Sequence, residues 1–534
     1  MELTFEGIRD RTAFEKAGIN LPSYDCEAVA RRTKEAPRWV HFGIGNIFRI
    51  FLGGIADGLL EKGLLDGGIT GIETFDYEVV DRIYEPFDNL GINVILNSDG
   101  TRDIKVIGSI GEAVKSENMA RVREIFRSPD LQLVTFTITE KGYALASSDG
   151  SYFPFIERDL ENGPEKPVSA MSVVAAGLLA RYEAGKLPVA LVSMDNCAKN
   201  GKLLKSSVEK VSEEWEKRGF VPEGFLDYIR DEETVAFDST MIDKITPRPS
   251  EDIAGDLERL GLENMMPFET AKRTYIAPFA NGEKPQYLVI EDRFPNGRPK
   301  LEEGFGVYMG SFETVNMAER MKVTALLNPV HSATGPIGVL LGIDLFADLL
   351  EDVPAVLKMA RMVAYDEGLP MVEDPGIISP QAFVDELFDD RFPNRYLGDT
   401  NIRLCTDVSQ GVGVRFGETV KAYANKYGSA DMLTAVPLGI AGWLRYMMGI
   451  DDSGGKYVLA PDPMNDEISA ALATVRIGEP DTLKKQLKSI LSNESVFHTD
   501  LYASGIGEKI EEYFRSMIAG CGAVMDTVMR VIGE

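Results

Sequence analysis

The sequence predicts an α/β protein, with a doubly wound sheet in the N-terminal half and a mostly α-helical C-terminal domain. Three observations carry that reading. Short apolar, β-branched runs alternate with helical stretches as far as residues 287–292; a glycine turn, Gly43-Ile-Gly45, joins the first run to its helix; and amphipathic helical spacing takes over beyond the Pro- and Gly-rich stretch 293–299. At 534 residues the chain is longer than one core sustains. Two domains are therefore expected, 1–293 and 294–534.

Taken in order, the first 37 residues are polar and helix-prone. Residues 39–42 read as a short buried strand, and an apolar helix runs from the glycine turn to Leu60. Strand, glycine turn and helix N-terminus together present backbone N–H groups to a pyrophosphate, which is the Rossmann-type arrangement. Gly43 permits the tight turn and Gly45 the close approach of phosphate; Asn46 opens the helix, Phe48 stands where a third glycine is usual, and Arg49 follows. A second strand, 68–73, lies at βαβ distance. An acid at its carboxyl end suits an adenosine ribose and repels a 2′-phosphate; Glu73 fits best, Asp76 is its rival, and either favours NAD over NADP.

Residues 93–96 and 104–107 read as a hairpin about Ser98-Asp-Gly100. The strongest strand pattern, 131–139, runs into Glu140, and a helix near 168–184 leads to a strand at 189–193 that runs into Asp195 and Asn196. Polar residues at such carboxyl edges lie where parallel sheets bind ligands; Asn196 either reaches the nicotinamide side or caps the next helix. Residues 239–247, containing Asp243, and 287–292 are further extended segments. Helical patterns then cover 312–328, 335–350, 353–366, 380–387, 412–425 and 465–475.

Composition narrows the function classes. The formal net charge of −28 repels nucleic-acid phosphates and anionic membranes, so neither is expected as a partner, and an anionic substrate needs local cations. The apolar run 325–350 carries Asn328, His331, Asp344 and Asp348, too polar for a membrane span. Four scattered cysteines, without a CxxC pair or a Cys/His cluster, point to neither a disulfide framework nor a zinc site, and no metal is expected. The N-terminus has no basic n-region followed by an apolar h-region, so no signal peptide is expected and the cytoplasm is the expected location.

The chemistry concentrates in Glu319-Arg-Met-Lys322-Val-Thr-Ala-Leu-Leu-Asn328-Pro-Val-His331-Ser332. A lysine, an amide and an imidazole stand there inside an apolar run, in a chain with three histidines. Together they can take a proton from an alcohol, hold the alkoxide and orient both. A lysine works as a base near neutrality only where desolvation or neighbouring cations favour the free amine.

These pieces, in this order, resemble the mannitol dehydrogenase family of long-chain polyol and hexuronate dehydrogenases. The resemblance runs through Gly43-x-Gly45-x-x-x-Arg49, Thr137-x-Thr-Glu-Lys-Gly-Tyr143, Asp195-Asn196-x-x-x-Asn200-Gly201, Met241-x-Asp243-x-Ile-x-Pro247 and Ile290-Glu-Asp-x-Phe294. It continues through Lys322…Asn328-x-x-His331-Ser332, Asp399-Thr400 with Arg403, and Trp443-Leu-Arg-Tyr446…Asp462-Pro463. It implies an NAD(P)-dependent, metal-independent dehydrogenase of secondary alcohols, with a Rossmann-type domain, a mostly helical domain and a site between them. By motif it implies Lys322 as general base, Asn196 and Asn328 as oxyanion donors and His331 as substrate-orienting. Glu140 falls beside the cofactor, and Asp243, Glu319 and Arg403 beside the substrate. The wording is most similar to members that reduce fructuronate to mannonate; tagaturonate reduction and mannitol oxidation are the alternatives. From another class, a catalytically silent nucleotide-binding protein is opposed by the intact Lys322, Asn328, His331 and Asn196 set.

Two departures from the family pattern bear on this. The asparagine there follows the lysine by five residues, whereas Asn328 follows Lys322 by six. On a regular helix Lys322 and His331 then face opposite sides, so a π-bulge or kink is expected between Lys322 and Pro329, which itself cannot donate to Ala325. Gly411 stands where many relatives carry a substrate-contacting lysine, leaving Arg403 and Arg415 as candidate cations for a carboxylate.

Overall fold

The computed structural model describes residues 1–147 and 149–533. The chain divides into two compact units, Met1–Asn316 and Met317–Glu534. The first extends past the expected boundary at 293 because Val307–Gly310 pairs in parallel with Tyr287–Glu291 and so belongs to that unit's sheet system.

The first unit is built on six parallel strands: β1 (Trp39–Phe42), β2 (Ile69–Glu73), β3 (Ile110–Lys115), β4 (Leu133–Phe136), β5 (Val189–Ser193) and β6 (Val235–Asp238). Their order across the sheet is β3-β2-β1-β4-β5-β6. The order reverses between β1 and β4, and ligands of such sheets bind at the carboxyl ends beside that point. Both faces are covered, as an all-parallel sheet requires. Val40, Phe42, Val134 and Phe136 enter one apolar layer with Trp215 and Phe225; Trp39, Leu133 and Val192 enter the other with Phe48 and Phe51. The expected hairpin is present, with Asn93 opposite Lys105 and Val94 opposite Ile104. The strand expected over 131–139 stops at Phe136, since the chain turns at Ile138 and Thr139.

In the second unit helices dominate, and none among the described residues is long and apolar enough to cross a membrane. The helical pattern at 312–328 resolves into Phe312–Glu319, a π-turn segment Arg320–Leu326, and α1 (Leu327–Leu340). Helix α1 lies against α2 (Ala435–Tyr446) so closely that a Cβ on Gly439 would sit 2.6 Å from that of Ala333. Two further π segments, Met362–Gly368 and Gly413–Gly417, pack against Arg320–Leu326.

Candidate active site

At the carboxyl end of β1, Gly43 adopts φ +91°, and a Cβ there would lie 2.2 Å from the Thr137 carbonyl oxygen. Only glycine fits the turn. At Gly45 φ is ordinary and a Cβ would meet no atom within 4 Å, so the chain's own packing does not demand glycine. A phosphate approaching the backbone does, and the turn therefore fits a dinucleotide pyrophosphate at a helix N-terminus.

His41 holds this turn to the sheet. Its Nε2 lies 2.8 Å from Thr137 Oγ1 and 3.2 Å from the Gly43 carbonyl, and its Nδ1 lies 2.7 Å from Thr135 Oγ1. The Gly43 carbonyl only accepts, which assigns the proton to Nε2. Complete burial pushes the imidazole down to about 3, so it is neutral. Phe48, expected beside the cofactor, is fully buried and stacks on the His41 ring at 4.3 Å. Arg49, also expected beside the cofactor, has internal partners. Its guanidinium is buried and donates to the carbonyls of Ala277 (2.7 Å) and Phe279 (3.2 Å) and to Asn46 Oδ1 (2.6 Å). It anchors the helix and orients Asn46.

Both acids at the carboxyl end of β2 also have structural partners. Glu73 is buried, which pushes its carboxyl up, while the backbone N–H groups of Phe75, Asp76 and Ile44 donate to it. It thereby ties the glycine turn to the end of β2. Asp76 is buried and accepts the Thr270 hydroxyl at 2.5 Å. Glu73 closes the strand end itself, and Asp76 meets the hairpin formed by Phe268–Glu269 and Tyr275–Ile276.

Across the reversal point, Asp195 follows β5 and clamps the turn after β4. Its carboxylate accepts Ile138 N–H and Thr139 N–H, each at 2.9 Å, and the Tyr143 hydroxyl at 2.6 Å. Burial pushes Asp195 up. Thr139, at φ +61°, is β-branched in left-handed backbone, a conformation that needs such a clamp. Fully buried Asn200 bridges the Asp195 carbonyl (2.9 Å) and Thr240, whose N–H it accepts at 3.0 Å. Asn196 and Glu140 are thus left exposed on braced edges, while Asp243 is buried at the end of strand Thr240–Asp243. The predicted strand held His41 and the sequence motifs held Asp195, Tyr143 and Asn200, but their roles depend on partners 40 to 96 residues away.

In the second unit the expected break is present: Leu327 N–H donates to the Lys322 carbonyl, a five-residue step. Lys322 is buried at 5% exposure; Asn328 and His331 are half-buried, as is Glu319. The wide turn brings Lys322, Asn328 and His331 onto one arc of about 140°, counting ~100° per residue and one residue absorbed. The His331 ring packs edge-on to Phe346 (4.9 Å) and against Phe392 (5.3 Å), which fixes its plane. Arg403 forms an ion pair with Asp399 and its side chain is 60% exposed. Arg415 Nη1 donates to Ser332 Oγ at 2.8 Å, beside His331.

Comparison with known proteins meets this geometry. Residues 37–303 match the mannitol dehydrogenase Rossmann domain, and residues 314–518 match the mannitol dehydrogenase C-terminal domain. The chain belongs to the mannitol dehydrogenase family. It is accordingly an oxidoreductase of secondary alcohols. It is 48% identical to D-mannonate oxidoreductase of Thermotoga maritima, over 100% of this chain and 99% of that protein. Mannitol 2-dehydrogenase of Neosartorya fischeri is 29% identical over 94% and 93% of the two chains. Among solved structures, D-sorbitol dehydrogenase in substrate-free form superposes with TM-score 0.78 at 23% identity, over 95% and 97% of the chains. The Pseudomonas fluorescens mannitol 2-dehydrogenase ternary complex with NAD and D-mannitol gives 0.72 at 23% identity, over the whole of both chains. At that identity the likeness speaks for the fold.

Proposed function

We propose that this member of the family is an NAD-dependent reductase of a keto-hexuronate, converting D-fructuronate to D-mannonate, with Lys322 as general acid and base. The observation that carries the chemistry is the wide turn at Lys322, which offsets the extra residue before Asn328 and returns amine, amide and imidazole to one arc. The substrate reading is supported by the full-length 48% identity to a protein named D-mannonate oxidoreductase, against 29% for a mannitol 2-dehydrogenase.

When bound at the glycine turn, NADH supplies the hydride. The Lys322 ammonium gives its proton to the keto oxygen as the alcohol forms, and in the opposite direction the amine takes the alcohol proton. The Asn328 amide donates to the oxygen while it carries negative charge, a contact stronger in the transition state than before it. Asn196 is assigned the second such amide. His331, its ring fixed by Phe346 and Phe392, orients the substrate hydroxyls. Lys322 is itself buried, which limits the water that reaches its amine.

The test is a panel of fructuronate, tagaturonate, fructose and the matching alcohols, each with NADH or NADPH in the direction of reduction and the oxidised forms in reverse. Fastest turnover is expected for fructuronate with NADH. A lead for tagaturonate or fructose replaces the substrate, a lead for NADPH replaces the cofactor, and silence throughout overturns the reading.

A further inference from the structure

We propose that Arg415 is the specificity-determining residue that receives the substrate carboxylate, and that position 411 is glycine so that the guanidinium can lie there. The proposal rests on the keto-hexuronate reading above and names the group that makes the site one for a sugar acid.

Two arginines are candidates by sequence, and their surroundings separate them. Arg403 is mostly exposed and already paired with Asp399. Arg415 is half-buried, donates to a neutral hydroxyl, and has no carboxylate partner among the described residues. Burial alone pushes its guanidinium down. A desolvated cation without a counter-charge is costly, the more conspicuous here because Asp and Glu outnumber Lys and Arg by 84 to 56. An incoming anion removes that cost.

Its position is equally specific. Ser332, which Arg415 binds, lies one residue after His331 and four after Asn328 on α1, so Asn328 and Ser332 share a helix face. Arg415 is thereby fastened to the face that carries the amide. A Cβ on Gly411 would lie 2.6 Å from Arg415 Nε and 2.7 Å from its Cζ. A side chain at 411 and the guanidinium in this place exclude each other. The glycine is thus half of one device. Ser332 takes one N–H of the planar fork, and the remaining donors suit the two oxygens of a carboxylate. A neutral polyol terminus offers no such match.

The test compares fructuronate with fructose, which differ in the terminal carboxylate, as NADH substrates of wild type, Arg415→Met, Arg415→Lys and Gly411→Leu. Loss of charge-assisted hydrogen bonds predicts that Arg415→Met lowers kcat/KM for the keto acid by roughly 10- to 100-fold more than for fructose, mainly through KM. Arg415→Lys is expected to retain an intermediate share. Gly411→Leu, which displaces the guanidinium without removing it, is expected to reproduce the selective loss and carries the test should the methionine variant not fold. Equal losses on both substrates, or none, overturn the proposal. So does a wild type that turns over fructose and ignores fructuronate, which leaves dehydrogenase chemistry standing. A wild type inactive on both overturns this proposal together with the reading beneath it.

Discussion

The two glycines of the first turn provide a paired perturbation with opposite expected outcomes. Alanine at Gly43 meets two penalties. The residue sits at φ +91°, where an L side chain costs about 1–2 kcal/mol. Its Cβ would also lie 2.2 Å from the Thr137 carbonyl oxygen, backbone that cannot swing away, and overpacking of this kind costs a further ~1–3 kcal/mol. The sum, about 2–5 kcal/mol, is large against the stability of an ordinary domain. Alanine at Gly45 meets ordinary φ and no atom within 4 Å, so folding stability is expected to stay within about 0.5 kcal/mol of wild type. If the turn holds the pyrophosphate as proposed, its methyl group instead stands where the oxygens approach the N–H groups. Loss of one charge-assisted bond there predicts NADH affinity weakened at least ~10-fold. Denaturant unfolding of both variants, with NADH titration by fluorescence, reads the two quantities separately. A Gly45→Ala protein that binds NADH like wild type refutes the phosphate-cradle reasoning; a Gly43→Ala protein as stable as wild type refutes the steric part.

Two further predictions concern pH. His41 is a base with its folded-state value depressed to about 3, so its contribution to stability is present above about 6.5 and is lost as pH falls. Stability of the first unit is expected to decline on acidification by up to ~1.4 kcal/mol per pH unit from this group; in His41→Asn that slope is absent, and an unchanged slope in the variant contradicts the assignment. Asp238 shows the opposite case. Fully buried at the end of β6, with Arg293 Nε 3.3 Å from its Oδ1 but poorly aligned for a hydrogen bond, its carboxyl is pushed up to about 8 by burial. The folded state then holds a proton the unfolded chain releases near 3.8, so stability present at low pH is lost as pH rises through about 8. Asp238→Asn is expected to gain on wild type between about pH 5 and about pH 8, on the order of a few kcal/mol, and a pH-independent difference rules this out.

Much of the fold could be read from the chain because parallel strands buried on both faces leave continuous apolar runs, as in Trp39–Phe42 and Val189–Ser193. Strand β3 could not. It is an edge strand whose Glu112, Ala113 and Lys115 are only half-buried, and its charges interrupt the apolar signal. Strand β6 offers three apolar residues before the acidic Asp238, which cuts the apolar run short. Most of the π segments were equally hidden, since a one-residue widening leaves composition unchanged; the segment at Lys322 was legible only because Asn328 stood one place too far on. The site divides along the same line. Gly43 and Gly45 were legible from the glycine turn between strand and helix, and the backbone itself demands glycine at Gly43. Arg49 did not, because its partners Ala277 and Phe279 lie more than 220 residues away and turn a cation beside the glycine turn into an internal brace. Arg415 and Arg403 looked alike as letters. Asp399 and Gly411 distinguish them in space.

The most direct test of Lys322 as proton donor and acceptor is single-turnover reduction of fructuronate by enzyme-bound NADH, wild type against Lys322→Ala. Removal of a general acid predicts a rate of hydride transfer lower by about 10²- to 10⁴-fold, with NADH affinity nearly unchanged. A variant that reduces the keto acid at the wild-type rate would contradict the account.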